Sequence, residues 1–189
     1  YGFDGVYLVF ETGNPDKTLI ALQNLQICGL SVTIPYKEWA YSISDMKDET
    51  SEWMKATNTL TFENRKIIAN NTDGYGATET VKNANKNIFD SNILILGSGG
   101  SARGISYSFL KELNVKSKIF ISARNEFKAI ELVDLLNSKR PFISEFIPFN
   151  KIGKLQDNIS LIVNTTPVGM KGHSQENLTS EVFFTKRHT

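Results

Sequence analysis

The stretch 92–104 constrains the fold more than any other part of this 189-residue chain. An apolar run ends abruptly in glycine, and the spacing Gly97-x-Gly99-x-x-Ala102 matches the dinucleotide-binding fingerprint G-x-G-x-x-G/A. Gly97 lets the chain turn sharply off a strand, Gly99 leaves room for a pyrophosphate, and Ala102 lets a helix over 101–113 pack close to the sheet. That helix would offer unpaired N–H groups and its positive dipole end to phosphates. The residues expected to bind the cofactor here are Gly97, Ser98, Gly99, Gly100, Ser101 and Ala102.

The second strand of this unit indicates which dinucleotide is bound. A β-branched and aromatic run over 118–123 leads directly into Arg124, and Lys128 follows at the start of the next helical pattern. An NAD-binding unit usually has an acidic residue near this point, to hold the ribose hydroxyls. Arginine and lysine would instead pair with a 2′-phosphate, although both could be ordinary solvated surface charges. We predict NADP rather than NAD.

The order of the elements predicts an α/β protein with two domains. In the second half, strand and helix patterns alternate over 92–97, 101–113, 118–123, 125–138, 142–148 and 160–166, which is typical of a Rossmann-like doubly wound parallel sheet. In the first half, a strand at 6–10, a helix at 16–25 and a strand at 30–34 suggest a β-α-β unit with a parallel pair. A hairpin over 57–69 and a helix over 74–85 follow. We place the boundary near residue 84, giving an N-terminal α/β substrate domain (1–84) and an NADP domain (85–189).

Composition excludes several classes of function. Hydrophobic residues make up 40% and charged residues 22% of the chain, as in globular proteins. The net charge of +1 gives no reason to expect a nucleic-acid partner. The apolar runs are strand-sized, too short to span a membrane. The single cysteine, Cys28, and only two histidines, His173 and His188, argue against a disulfide, a metal site or a serine triad. We expect a cytoplasmic protein acting on a small molecule.

Three polar residues outside the glycine-rich stretch are candidates for chemistry. Lys37 stands two residues after Pro35, in the predicted first turn of a helix, where the dipole disfavours a cation. It is therefore either a proton acceptor or a solvated surface lysine. Asp73 precedes Gly74 at the end of a strand, where it could cap a helix or contact a ligand. Asn58 interrupts a strand pattern, so a polar partner should compensate for it.

Five separated motifs together resemble one family. They are Ser31-Val-Thr-Ile-Pro-Tyr-Lys37, Asn58-Thr59, Asn71-Thr-Asp73-Gly74, Gly97-Ser-Gly-Gly-Ser-Ala102 and Asn164-Thr-Thr-Pro-Val-Gly-Met170. Their order and spacing are similar to those of the shikimate dehydrogenases, from about Gly5 to Met170. The resemblance implies a substrate domain and an NADP domain with the active site between them. It also implies reversible NADP-dependent reduction of 3-dehydroshikimate to shikimate, a step of aromatic amino-acid biosynthesis.

The same resemblance assigns roles to individual residues. Lys37 would carry the proton of the reacting hydroxyl, and Asp73 would hold both the lysine and the substrate. Thr33 and Asn58 would bind substrate. Arg124, Lys128 and Thr165 would contact the cofactor. Ala123 stands where the family usually has Asn, which would loosen the adenosine contact without changing the charge argument.

Two family features have no counterpart in this sequence. The family has a Ser-x-Ser pair ahead of the matched region, and its C-terminal helices supply a glutamine to the substrate. We therefore expect a portion of a longer polypeptide, with a fusion to another shikimate-pathway domain as one alternative. The sequence does not predict the oligomeric state. Two alternatives are a quinate dehydrogenase paralogue with relaxed NAD/NADP choice and a non-catalytic dinucleotide- or metabolite-binding module.

Overall fold

The computed structural model describes residue 2 and residues 4–169. Its helices are α1 (Pro15–Asn24), α2 (Lys37–Ser42), α3 (Glu49–Met54), α4 (Asp73–Ala84), α5 (Gly100–Glu112) and α6 (Glu126–Lys139). Its strands are β1 (Gly29–Ser31), β2 (Met46–Lys47), β3 (Thr59–Glu63), β4 (Lys66–Asn70), β5 (Asn92–Leu96), β6 (Ile119–Ser122), β7 (Ser144–Phe146) and β8 (Ile159–Asn164). Two 3₁₀ segments, Ile88–Asp90 and Phe149–Asn158, connect α4 to β5 and β7 to β8.

The first half forms a mixed four-stranded sheet in the order β1-β3-β4-β2. The expected hairpin is confirmed, because β3 and β4 pair antiparallel with Glu63 opposite Lys66. The expected parallel β-α-β unit is wrong, since β1 pairs antiparallel with β3 and Leu30 faces Leu60. Strand β3 of the hairpin offers its outer edge to β1, and the two strands run antiparallel. Only β2 and β4 are parallel in this sheet.

The apolar run at 6–10 is not a strand in the structure. Its side chains are largely exposed, with Val9 at 90% and Tyr7 at 78%. A strand requires a hydrogen-bonded neighbour, and the described residues supply no backbone partner to this segment. Residues 6–12 instead form one wall of a cavity of about 650 Å³, opposite α1 and residues 29–36.

The second half is a Rossmann-like sheet, as expected. Its strands run in the order β7-β6-β5-β8, and all the neighbouring pairs are parallel. Alternate residues of β5 and β6 face two different cores. Ile93 and Ile95 pack with Phe109 of α5 and Leu132 of α6. On the opposite face, Leu94, Leu96 and Phe120 pack with Ile152 of the 3₁₀ segment before β8. Both faces of β5 are covered, which explains its continuous apolar sequence.

Helix α5 contacts α3 and α4 of the first half of the chain. A Cβ atom on Gly104 would lie 2.5 Å from Sδ of Met54 in α3. A Cβ atom on Gly74 of α4 would lie 2.5 Å from the Gly104 carbonyl oxygen. The approach to the Gly104 backbone requires glycine at position 74, whereas the approach to Gly104 involves the flexible end of the Met54 side chain. Both contacts join the first half of the chain to the second. The division near residue 84 stays a prediction.

An ion pair and a stacked aromatic pair strengthen the contact between α3 and α5. Lys111 Nζ donates to Glu49 Oε2 at 2.8 Å, and Trp53 stacks on Tyr107 with ring centroids 4.4 Å apart. Hydrogen bonds from Lys111 and Tyr107 lower the pKa of Glu49 below its ordinary 4.5. Burial, together with the bond to Glu49, raises the pKa of Tyr107 above its ordinary 10.

None of the helices in the described part of the chain is long and apolar enough to cross a membrane. Over the same residues, no group of three or more His, Cys, Asp or Glu side chains could hold a metal ion. His173, His188 and Met170 lie outside the described residues.

Candidate active site

Lys37 and Asp73 meet although 36 positions separate them. Lys37 is the first residue of α2, and Asp73 is the first residue of α4, so both stand where a chain segment turns into a helix. Lys37 Nζ donates to Asp73 Oδ2 at 2.6 Å. Their side chains are 27% and 30% exposed, so the pair is partly shielded but open to a ligand. The Asp73 carboxylate thereby stabilises the Lys37 cation, which lies at the positive end of α2.

Asn58 holds the second oxygen of Asp73. Its Nδ2 donates to Asp73 Oδ1 at 2.7 Å and to Thr72 Oγ1 at 3.1 Å. Its Oδ1 accepts from the Thr72 backbone N–H at 3.1 Å and from Thr59 Oγ1 at 2.9 Å. Donors on one side and a carboxylate on the other fix the orientation of the amide. The polar partners expected for Asn58 are therefore present, and they include the proposed catalytic carboxylate.

Thr33, the other predicted substrate residue, follows Val32, whose N–H donates to the Asn58 carbonyl at 2.7 Å. Its side chain is exposed, and its carbonyl accepts the Tyr36 N–H at 2.9 Å in the turn that leads to α2. Thr33 lines the cavity between residues 6–12 and α1, whereas Lys37 and Asp73 do not. Its role in substrate binding stays a prediction.

In the described part of the chain, the glycine-rich loop between β5 and α5 leaves open space and uncapped N–H groups at the start of the helix. Gly97 has φ +119°, a conformation that favours glycine, and its N–H donates to the Ser122 carbonyl at 2.7 Å. A Cβ atom on Gly99 or Gly100 would meet nothing within 4 Å, and Gly99 has φ −82°, so packing and backbone conformation do not explain glycine there. No side chain caps the N-terminus of α5 within the described residues, which leaves its first N–H groups available to an anion. Ser101 is exposed beside them, while Ala102 is fully buried against the sheet.

Thr165 forms the far side of the loop. Its Oγ1 donates to the Leu96 carbonyl at 2.7 Å, and its N–H donates to the same oxygen at 2.9 Å. The hydroxyl also lies against the α-carbon of Gly97, where a Cβ atom would collide with it. The hydroxyl proton is thus committed to the protein, so contact with a cofactor would use the Thr165 oxygen as an acceptor or its methyl group. Cofactor binding by Thr165 remains a prediction.

Arg124 and Lys128 are exposed beside the end of β6. Asn125 caps α6, since its Oδ1 accepts the Lys128 N–H at 3.0 Å, and this turn sets Arg124 and Lys128 on either side of the helix start. Neither cationic side chain has an ion-pair partner among residues 4–169. Two unpaired cations next to a loop with free N–H groups fit a dinucleotide that carries an additional phosphate. The residues present therefore fit NADP.

The contact between α4 and α5 places the lysine–aspartate pair near the loop. Gly74, the residue after Asp73, touches Gly104, which is one helical turn inside α5. Since α5 rises 1.5 Å per residue, Asp73 lies on the order of 10 Å from the first N–H groups of that helix. A dinucleotide bound by its pyrophosphate at α5 could thus extend towards Lys37 and Asp73.

Sequence reasoning from single positions missed two residues that organise this site. Thr72 bonds Asn58, and the buried Asn71 bonds the backbone of Asp73. The density of polar residues at 70–73 was the available signal, but it could not show which of them face the protein and which face a ligand.

Comparison with known proteins supports the family indicated by the motifs. Residues 1–60 match the model of the shikimate dehydrogenase substrate-binding domain. Over 185 residues the chain is 39% identical to the NADP⁺-dependent shikimate dehydrogenase of Leptospira interrogans, covering 97% of this chain and 63% of that enzyme.

Solved structures agree with the sequence matches. The shikimate dehydrogenase from Aquifex aeolicus superposes with a TM-score of 0.72 at 32% identity, over 86% of this chain and 58% of that one. A shikimate dehydrogenase in complex with NADP⁺ superposes with a TM-score of 0.72 at 29% identity, over 83% of this chain and 54% of that one. The chain thus spans 63% of the length of the Leptospira relative. Over that span, its sequence and its fold are similar to those of shikimate dehydrogenases.

Proposed function

We propose that this chain carries the catalytic pair and the cofactor-binding loop of an NADP-dependent shikimate dehydrogenase of the cytoplasm. The observation that supports this most strongly is the 2.6 Å contact between Lys37 Nζ and Asp73 Oδ2. Asp73 begins α4, which packs against α5, the helix that follows the glycine-rich loop. The Leptospira and Aquifex relatives are named as NADP⁺-dependent shikimate dehydrogenases, which is the basis for the proposed substrate and cofactor.

Lys37 transfers the proton, and Asp73 positions the lysine and the substrate. In the reducing direction, the carbonyl oxygen of 3-dehydroshikimate receives a proton from the Lys37 ammonium while the carbonyl carbon is reduced to the alcohol. In the oxidising direction, the lysine accepts that proton from the hydroxyl. Asp73 keeps Nζ in place through Oδ2 and can also accept a substrate hydroxyl. Asn58 fixes the rotation of the carboxylate, so that one oxygen always faces the lysine.

The second half would bind and orient the cofactor. Bound NADPH supplies the hydride. The N–H groups at the start of α5 would hold the pyrophosphate against Gly99 and Gly100, and Arg124 with Lys128 would hold the 2′-phosphate. The Gly74–Gly104 contact would fix the separation between that cradle and the lysine.

Spectrophotometric turnover of the complete gene product tests this function. The assay follows NADPH oxidation with 3-dehydroshikimate, alongside NADH and alongside these 189 residues alone. We expect turnover with NADPH and much less with NADH. Turnover at equal rates with both cofactors, or with quinate in preference to shikimate in the reverse direction, would favour the quinate paralogue. NADP(H) binding without any turnover would contradict an enzyme and favour the binding module.

A further inference from the structure

Asn71 is a buried polar residue whose amide nitrogen and amide oxygen both bond the protein backbone. It is 4% exposed and follows β4 directly. Its Oδ1 accepts the Asp73 N–H at 3.1 Å, and its Nδ2 donates to the Ala56 carbonyl at 3.1 Å. With 4% of its surface exposed, Asn71 offers little of either group to a substrate. Asn71 therefore acts on other parts of the protein.

The peptide group that Asn71 contacts also touches the backbone of Lys37. The Ala56 carbonyl accepts from Asn71, and the N–H of the same peptide, on Thr57, donates to the Lys37 carbonyl at 3.0 Å. One peptide unit thus stands between the two residues of the pair. The order of contacts runs from the Lys37 carbonyl through the Ala56–Thr57 peptide and the Asn71 amide to the Asp73 N–H.

We propose that Asn71 is a positioning residue that sets the separation of Lys37 and Asp73, an inference that rests on the proposed function. The two catalytic side chains bond each other directly, but a lysine side chain is long and flexible. A fixed distance between their backbones restricts the positions Nζ can take. Asn71 provides that restraint without touching the substrate.

The surrounding bonds indicate that losing the Asn71 side chain would loosen the site without unfolding it. The Thr57 hydroxyl donates to the Asn70 carbonyl, which holds the end of the hairpin independently. The Asn71 backbone N–H donates to Asp48 Oδ2 at 3.4 Å, independently of its side chain. The Asn58–Asp73 bond also remains. What is lost is the connection between Ala56 and Asp73.

Three variants of the complete gene product test this role. Asn71→Ala removes both side-chain bonds. Asn71→Ser retains a short oxygen that can accept the Asp73 N–H but cannot reach Ala56. Asn137→Ala is the matched control, because Asn137 makes a similar pair of bonds to the Ser144 backbone, at 3.1 and 3.0 Å, between α6 and β7 of the second sheet. The readouts are kcat, KM for 3-dehydroshikimate, NADPH affinity by fluorescence, and Tm.

We expect kcat of Asn71→Ala to fall about 10- to 100-fold, since misplacing a reacting group by about 1 Å costs this much. NADPH affinity should stay within about twofold of the wild type, because the cofactor cradle is untouched. Asn71→Ser should fall between Asn71→Ala and the wild type, and Asn137→Ala should lower Tm while leaving kcat unchanged.

Other outcomes would overturn the inference. Asn71→Ala with more than half of the wild-type kcat, or with kcat and NADPH affinity reduced together, would show that Asn71 does not position the pair. An equal loss of kcat in Asn137→Ala would show that general loosening is sufficient. An inactive wild type would instead contradict the proposed function itself, so the two failures are distinguishable.

Discussion

Two apolar runs that look alike in the sequence have opposite surroundings in the structure. Val6–Phe10 and Asn92–Leu96 are both strand-sized and both stand ahead of a glycine-containing turn. Ile95 is fully buried in β5 between two parallel neighbours, whereas Val9 is 90% exposed and has no described backbone partner. An apolar run therefore predicts a strand only when neighbours are available to pair with it.

The same contrast extends to the two halves of the chain. The buried apolar cluster of the first sheet consists of Ala40, Leu60 and Ala69 within the described residues, while β5 and β6 contribute to two cores. Yet the first sheet and its flanking helices carry Lys37, Asn58 and Asp73. The half with the smaller core holds the proposed chemistry, and the half with the larger cores holds the proposed cofactor cradle.

The largest expected effect is on turnover, from Asp73→Asn. The substitution keeps the shape of the side chain but removes the negative charge that faces Lys37, and it sets an amide against the Asn58 amide. We expect kcat to fall roughly 10²- to 10⁴-fold, because Lys37 loses the partner that holds it in place for acid–base catalysis. NADP(H) affinity, measured by fluorescence titration, should hardly change. Equal losses in kcat and in cofactor affinity would contradict the proposal that the first half does the chemistry and the second half binds the cofactor.

The next effect compares the two apolar runs directly, in this 189-residue chain. Ile95→Ala should lower the free energy of unfolding by about 2–5 kcal/mol, since it leaves a cavity in a packed core. Val9→Ala should change it by less than about 0.5 kcal/mol, as is usual for exposed positions. Urea unfolding followed by circular dichroism measures both. A loss of more than about 1 kcal/mol in Val9→Ala would mean that residues 6–10 are packed in solution.

A smaller effect is expected on cofactor choice, from Arg124→Ala. Removing one of the two cations beside β6 should weaken NADP⁺ binding roughly 10-fold, about the free energy of one charge-assisted hydrogen bond. NAD⁺ binding should change little, because NAD⁺ lacks the phosphate. Calorimetric titration with both dinucleotides provides the comparison, with Arg140→Ala as a control that removes an arginine bonded to the Leu113 carbonyl instead. Parallel losses for NADP⁺ and NAD⁺ would contradict the assignment of Arg124 to the 2′-phosphate.

The sequence was most informative where the local pattern and the final environment agree. The strands β5 and β6 are buried between parallel neighbours, so their continuous apolar runs identify them. The glycine spacing at 97–102 likewise reflects local backbone needs. The direction in which β1 pairs could not be predicted, because it depends on which distant strand offers a free edge.

For the candidate site, local pattern identified individual residues but not their contacts. Asn58 was recognised as needing a polar partner, and the structure supplies Asp73. The pairing of Lys37 with Asp73 was suggested only by family resemblance, since 36 positions separate them. The contact of Gly74 with Gly104 was not predicted, because a glycine that permits close helix packing cannot be told from one that ends a strand.

The central claim is that Lys37 does the proton chemistry while the second half binds the cofactor, and Lys37→Met tests it most directly. Methionine keeps much of the apolar length of the side chain but has no proton to transfer. The measurement is kcat with NADPH and 3-dehydroshikimate, made on the same sample as the NADPH dissociation constant. The account predicts a fall in kcat of at least about 100-fold with the dissociation constant unchanged. A variant that keeps more than about a tenth of the wild-type kcat would contradict it.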